Sequence, residues 1–302
     1  MSVFDSMVKH GMPLIPKPLV GRVAQRYVAG ETVDDAVHTL RALNAEGAMG
    51  TVDVLGEEVH ERSRATAAVG QYVGLIDRIQ AEGLDANISV KPTMLGLKID
   101  EALCADNVGT IVAKASEHAN FVRIDMEDHS CTDATLRLYR TVHAARPRAV
   151  GVVLQAYLHR TLGDIRSLLP LAPNIRLCKG IYREPRAISW HDFETVRANF
   201  VAAVDRLLTA GAYVGIATHD PYLVWAGMAT VDRLGLSNDQ YEFQMLLGVD
   251  PELRRIILSN GHRLRVYVPY GRDWYPYSIR RLRENPTIAQ HTMRAMVGLG
   301  AK

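Results

Sequence analysis

The chain has 302 residues, 48% of them apolar and 23% charged, which suits a protein with a sizeable core and excludes a disordered one. Lys and Arg number 35 against 33 Asp and Glu, a formal charge of +2 that argues against a nucleic-acid binder held by a broad basic face. Cys104, Cys131 and Cys178 show no CxxC spacing, no apolar run approaches the ~20 residues that span a bilayer, and no secretory signal is seen, so a soluble cytoplasmic protein without disulfides or a transmembrane segment is expected.

Residues 1–45 precede the first strand. Met12–Pro18 holds three prolines and cannot be a regular helix. Leu14–Gly30 and Thr32–Glu46 then read as helical pieces packed on or across the rest of the chain. From residue 46 to 302, β-like runs alternate with helical stretches. The runs are Ala48–Leu55, Asn87–Pro92, Phe121–Glu127, Gly151–Tyr157, Ile175–Gly180, Tyr213–His219, Tyr241–Leu247 and Arg263–Pro269. Between the fifth and sixth, Phe193, Val196, Phe200, Val204 and Leu207 fall three and four apart on one helical face. Ser189 or Asp192 suits the N-cap of that helix, and Gly211 stands where a left-handed C-terminal residue belongs. A last amphipathic helix follows Pro286. Eight strand-then-helix units in roughly 250 residues fit an α/β (βα)₈ TIM barrel with added N-terminal helices and a C-terminal helix. Periodicity cannot show closure, so a doubly wound sheet stays open.

In a parallel barrel strand, alternate residues face the helices and the interior. Assigning the apolar set outward sends Val52, Val54, Ile88, Val90, Val122, Ile124 and Met126 to the helices. The inward set is then Thr51, Asp53, Ser89, Lys91, Arg123, Asp125, Glu127, Gln155, Arg176, His219, Gln244 and Tyr267. A barrel built for stability alone fills its interior with Val, Ile and Leu. Polar groups near the C-terminal strand ends point instead to a ligand site, or to a structural ion network in which Arg123, Asp125 and Glu127 pair with Lys91 and Arg176.

No GxGxxG follows a strand, and no P-loop, HExxH or GxSxG occurs, so no metal site, phosphate cradle or serine nucleophile is indicated. What remains is a cationic lining of Lys91, Arg176 and Lys179 with amide, hydroxyl and aromatic groups. It suits an anionic substrate or a cofactor that gains negative charge. The adjacent Arg280 and Arg281 could converge on one carboxylate, although an Arg-Arg-Leu-Arg run is also a common solvated helix face.

Nine stretches make the chain recognisable: VDVLGE (Val52–Glu57), SVKPT (Ser89–Thr93), RIDMED (Arg123–Asp128), LQAY (Leu154–Tyr157), IRLCKGIY (Ile175–Tyr182), ATHD (Ala217–Asp220), EFQMLLG (Glu242–Gly248), RVYVPYG (Arg265–Gly271) and RRLRENP (Arg280–Pro286). With them, over about residues 10 to 290, the chain resembles the monofunctional bacterial proline dehydrogenases and the catalytic domain of the bifunctional proline utilisation proteins. The resemblance implies a distorted (βα)₈ barrel with non-covalent FAD that oxidises L-proline to Δ1-pyrroline-5-carboxylate and passes electrons to a membrane quinone. Carried over by position, Lys91, Arg280 and Arg281 would grip the proline carboxylate and Tyr267 would lie against its ring. Arg176 would sit near flavin N5, the hydride acceptor, with Asp125 in the charged network around it. Met126, Gln155, Lys179, Gly180, Ile181, Thr218 and His219 would contact FAD, and Glu284 would orient the arginines or Lys91.

Three positions depart from the family pattern: Ile181 where a small residue is common, Asp220 for a frequent Asn, and Cys178 for an aliphatic residue. With no spanning segment, contact with a membrane would be peripheral, through Met12–Val20 or Ile288–Leu299; the oligomeric state is not legible. Two other readings of the lining remain: a lyase forming a Schiff base on Lys91, and a barrel that binds an amino acid without catalysis.

Overall fold

A computed structural model describes residues 26–275 together with Gly21, Ala24 and residues 277–279. Arg280, Arg281, Glu284, the tail after Pro286 and Met12–Val20 lie outside the described residues.

Eight parallel strands close into a barrel in sequence order: β1 (Met49–Val54), β2 (Ala86–Val90), β3 (Val122–Ile124), β4 (Val150–Gln155), β5 (Asn174–Cys178), β6 (Tyr213–Ala217), β7 (Tyr241–Leu246) and β8 (Leu264–Tyr270). β8 pairs back onto β1, Thr51 opposite Tyr267 and Asp53 opposite Pro269, which settles closure over a doubly wound sheet. Helix α1 (Val33–Ala45) precedes the barrel. The connections carry α2 (Arg62–Ala81), α3 (Glu101–Glu117), α4 (Thr132–Ala145), α5 (Thr161–Leu168), α6 (Phe193–Thr209), α7 (Pro221–Leu234) and α8 (Pro251–Ser259).

Local signals place the helix ends. Thr32 and Asp35 form a reciprocal capping box at α1, so this helix fills the Thr32–Glu46 frame read from sequence. It packs on the β1–β8 seam, where Leu40 covers Gly50. At α6 the cap is Asp192, whose carboxylate accepts the Thr195 amide, while Ser189 forms an isolated bridge to Leu158. Gly211 follows that helix with φ +76°, a conformation that costs glycine little. The main core lies between strands and helices, where outward residues such as Val52, Ile88, Ile124, Val152 and Ile216 are fully buried. Each such side chain contributes about 1.5–3 kcal/mol.

Several of the expected strands run too far at their C-terminal ends. β3 stops at Ile124 rather than Glu127, β5 at Cys178 rather than Gly180, and β6 at Ala217 rather than His219. Met126 therefore escapes the pleat that would turn it outward, and it lines the central cavity as well as touching the core. Phe193, placed on the buried face of its helix by spacing, is 54% exposed at the N-terminal turn of α6.

Inside the barrel, towards the N-terminal strand ends, lies a closed layer of buried charge. Arg123 Nη1 donates to the carbonyls of Asn174 (2.7 Å) and Val152 (3.1 Å), and Nη2 donates to the Asn174 side chain. Glu242 accepts from Arg265 Nε (2.8 Å) and Tyr213 Oη (2.9 Å). Arg123 thus belongs to this layer and pairs with neither Asp125 nor Glu127. Burial works against the Glu242 carboxylate, but Arg265, Gln244 and Arg123 together outweigh it and hold it down to about 2. Gly151 makes room for the layer, because a methyl there would overlap the Arg123 guanidinium and the Asn174 carbonyl.

Two glycine substitutions should therefore move stability in opposite directions. Gly151→Ala overpacks the barrel and should cost about 1–3 kcal/mol in urea unfolding. Gly109→Ala, in open space within α3, should gain about 0.4–1 kcal/mol. An unchanged midpoint for Gly151→Ala would contradict this packing.

Candidate functional site

The C-terminal strand ends surround a cavity of about 770 Å³, within the size range of small-molecule and cofactor sites. Of the site residues read from sequence, Lys91, Asp125, Met126, Gln155, Arg176, Lys179, Gly180, Ile181, Thr218, His219 and Tyr267 all line it. Several of them follow their strand by one or two residues, so the barrel delivers them without committing their side chains to the pleat.

At its floor, two cations and two carboxylates interlock, all buried. Lys91 Nζ donates to Asp53 Oδ2 (2.5 Å) and to Tyr267 Oη (3.2 Å), and lies 3.8 Å from Asp125 Oδ2. Tyr267 Oη donates in turn to Asp125 Oδ2 (3.1 Å). Arg176 donates to Asp125 Oδ1 (2.7 Å), Ser89 Oγ (3.0 Å) and Gln244 Oε1 (2.5 Å). The set carries no net charge, as a low-dielectric interior demands. It is a structural ion network and a cavity lining at once, so the two readings of the inward charges merge. Burial alone would lower the Lys91 ammonium, but Asp53 and Asp125 outweigh it and the net direction is upward. A Schiff-base lysine needs the reverse, which speaks against the lyase reading.

Glu127 stands beside this set, not in it. Its carboxylate accepts the Thr93 amide (2.9 Å) and hydroxyl (2.6 Å), and burial pushes it up to about 7 against those bonds.

A second cluster holds the mouth. Asp220 accepts from Arg197 at both oxygens (2.6 and 2.8 Å) and from Lys179 (3.3 Å), and it also caps α7 through the Tyr222 amide. Lys179 thus lines the cavity from this cluster, apart from the floor set of Lys91 and Arg176. The Arg197 guanidinium lies over the Phe193 ring at 4.4 Å and the Tyr222 ring at 4.9 Å. This arrangement gives Asp220, one of the three departures, a definite part: it fixes both cations.

Three features of the lining fit a large ligand with polar edges. Gln155 Oε1 is buried without a hydrogen-bond partner, while its Nε2 donates to the Glu127 carbonyl (3.3 Å); a ligand N–H would satisfy it. Gly180 adopts φ +109° against the Tyr157 ring, where a side chain would collide, so bare backbone faces the cavity. His219 Nε2 accepts the Leu246 amide (2.7 Å), which assigns the ring hydrogen to Nδ1.

A model of the family described as proline dehydrogenase matches residues 36–294. The chain is 39% identical over 279 residues to the proline dehydrogenase of Deinococcus radiodurans, spanning 91% of this chain and 90% of that one. It is 35% identical over 274 residues to proline dehydrogenase 1 of Bacillus subtilis (strain 168), with 91% and 90% covered. This chain belongs to the proline dehydrogenase family. Among solved structures, proline utilization A from Bdellovibrio bacteriovorus, inactivated by N-propargylglycine, matches with a TM-score of 0.82 at 24% identity, over 88% of this chain and 33% of that one. That likeness carries the barrel fold.

In this family member, several cavity residues were not assigned to the site by the sequence. Tyr27 comes from the segment before the barrel, and Arg197 and Phe193 from the first turns of α6. The strand that feeds α6 ends at the cavity, which is the one clue that its N-terminal turn belongs to the site.

The raised Glu127 carboxyl has a consequence for stability. Its stabilising contribution, the extra affinity of the fold for a proton, is complete below the ordinary value of 4.5 and is lost as pH rises towards 7. The slope approaches about 1.4 kcal/mol per pH unit where one proton differs between the states. Glu127→Gln should remove that decline, so the difference in unfolding free energy between wild type and variant changes between pH 4.5 and 7. Parallel curves would contradict it.

Proposed function

We propose that this member of the proline dehydrogenase family oxidises L-proline to Δ1-pyrroline-5-carboxylate, with FAD held non-covalently in the cavity and a quinone as final acceptor. The observation that carries the reading is the Lys91–Asp53–Asp125–Tyr267–Arg176 set opening onto the same cavity as the unsatisfied Gln155 oxygen.

FAD, when bound, supplies the hydride acceptor that the protein side chains lack. Gln155 would accept a hydrogen bond from its ring edge, Gly180 would let it approach the backbone, and Lys179 would face its anionic groups. Met126, Ile181, Thr218 and His219 would complete its walls. Arg176 would hold positive charge where negative charge develops as the substrate is oxidised, and Asp125 would keep that guanidinium aimed. Lys91, joined by Arg280 and Arg281, would grip the substrate carboxylate, with Glu284 orienting the arginines. Tyr267 would lie against the substrate ring. Among the described residues no helix is long and apolar enough to cross a membrane, so transfer to a lipid-dissolved quinone would need peripheral contact.

The test is a comparison of substrates with a water-soluble dye as acceptor. L-Proline should reduce the dye and yield a product that o-aminobenzaldehyde traps as a coloured adduct. Pyrrolidine, which lacks the carboxylate, should lose one or more charge-assisted contacts of about 1.5–3 kcal/mol, or roughly 10- to 150-fold in kcat/KM each. Equal kcat/KM for the two would refute the carboxylate grip, and absence of the adduct would refute the reaction.

A further inference from the structure

Lys91 lines the cavity, whereas Asp53, on β1 and wholly buried, is not among the lining residues. Its Oδ1 makes no hydrogen bond, and its Oδ2 accepts from Lys91. Asp125 is differently committed: Oδ1 takes Arg176 and Oδ2 takes the Tyr267 hydroxyl, leaving it 3.8 Å from Lys91 Nζ. The carboxylate dedicated to the Lys91 ammonium is therefore Asp53.

We propose that Asp53 is a positioning residue for substrate binding, which keeps Lys91 charged and aimed so that a ligand carboxylate can be gripped, without touching the ligand itself. The inference rests on the proposed function. An ammonium has three N–H donors; the structure uses two, on Asp53 and on Tyr267 Oη, and the third remains for a ligand oxygen at the cavity floor. Burial of an unpaired ammonium favours its neutral form, and a neutral amine is a poor partner for a carboxylate.

The charged and titratable groups around Lys91 come from several elements. They are Asp53 on β1, Asp125 and Glu127 after β3, Arg176 on β5 and Tyr267 on β8. With Asp53 neutralised, the nearest carboxylate left is Asp125, already shared by Arg176 and Tyr267. Burial then prevails, Lys91 loses its proton at a lower pH, and carboxylate binding weakens as pH rises. At lower pH the ammonium persists and one competing anion has gone, so binding is maintained.

The probe is tetrahydrofuran-2-carboxylate, a ring carboxylate with no amine to titrate, bound to the protein as purified and measured by calorimetry at pH 6 and pH 9. Glu127 titrates in the same range, so the ratio of variant to wild type is read rather than either Kd alone. For Asp53→Asn that ratio of Kd values should be near one at pH 6 and about 10-fold or more at pH 9. A merely structural role would weaken binding equally at both, and that result would overturn the proposal. If wild type fails to bind the probe at either pH, the proposed function falls and this inference falls with it. Asp53→Ser serves if Asp53→Asn does not fold. Should neither fold, the proposal requires Asp53→Asn/Lys91→Met to fold, because the stranded ammonium is then absent; failure of that double variant also overturns it.

Discussion

Charge inside a closed barrel has to be paired or hydrogen-bonded inside the barrel, because the strands and helices around it keep water out. This molecule places cations and carboxylates in two layers of one interior: Arg123, Arg265 and Glu242 towards the N-terminal strand ends, and Lys91, Asp53, Asp125 and Arg176 towards the C-terminal ends. Removing one member of such a pair costs about 3–5 kcal/mol, since the partner is left buried and alone. Other features follow from that need. Gly151 and Gly215 face inward so that Arg123 and Gln244 fit beside them, and the apolar core is displaced outward, between strands and helices. The lower layer is closed by backbone carbonyls. The upper layer has the same logic but opens to a cavity, where a ligand carboxylate can enter the balance.

The cavity walls are tied as firmly as its floor. Glu184, in the loop after β5, accepts the backbone amide of His129 (2.9 Å) and the Tyr157 hydroxyl (3.4 Å), so one carboxylate stitches together the loops that follow β3, β4 and β5. The Tyr157 ring in turn sets the space at Gly180. At the mouth Asp220 joins α7 to Arg197 of α6 and to Lys179. A pocket held in this way is preformed, and a ligand that enters it has little ordering left to impose.

The strands were legible because most of them alternate apolar with polar residues, and that alternation exists because the interior is polar. Val52 and Val54 against Thr51 and Asp53 is the pattern in miniature. The same alternation, continued back from Gln244 to Glu242 and from Tyr267 to Arg265, contained the lower layer, although no local feature marked it as a charged pair. Strand ends were overread because Met126 and His219 continue the alternation in letters after the hydrogen-bonded ladder has stopped. Phe193 looked like core because spacing reports a helix face but not whether the first turn overhangs a cavity. Arg197 and Tyr27 reach the site through tertiary packing, for which one sequence holds no sign. Of the motifs behind the family resemblance, RRLRENP lies outside the described residues, so the parts of Arg280, Arg281 and Glu284 rest on the resemblance.

The most direct measurement is the visible absorption spectrum of the purified protein before and after L-proline is added without oxygen. A bound flavin, coloured as isolated and bleached by L-proline but not by D-proline, is the expected result. A protein that carries no flavin and gains none from added FAD, or one whose flavin keeps its colour in excess L-proline, would contradict the assignment of this cavity to proline oxidation.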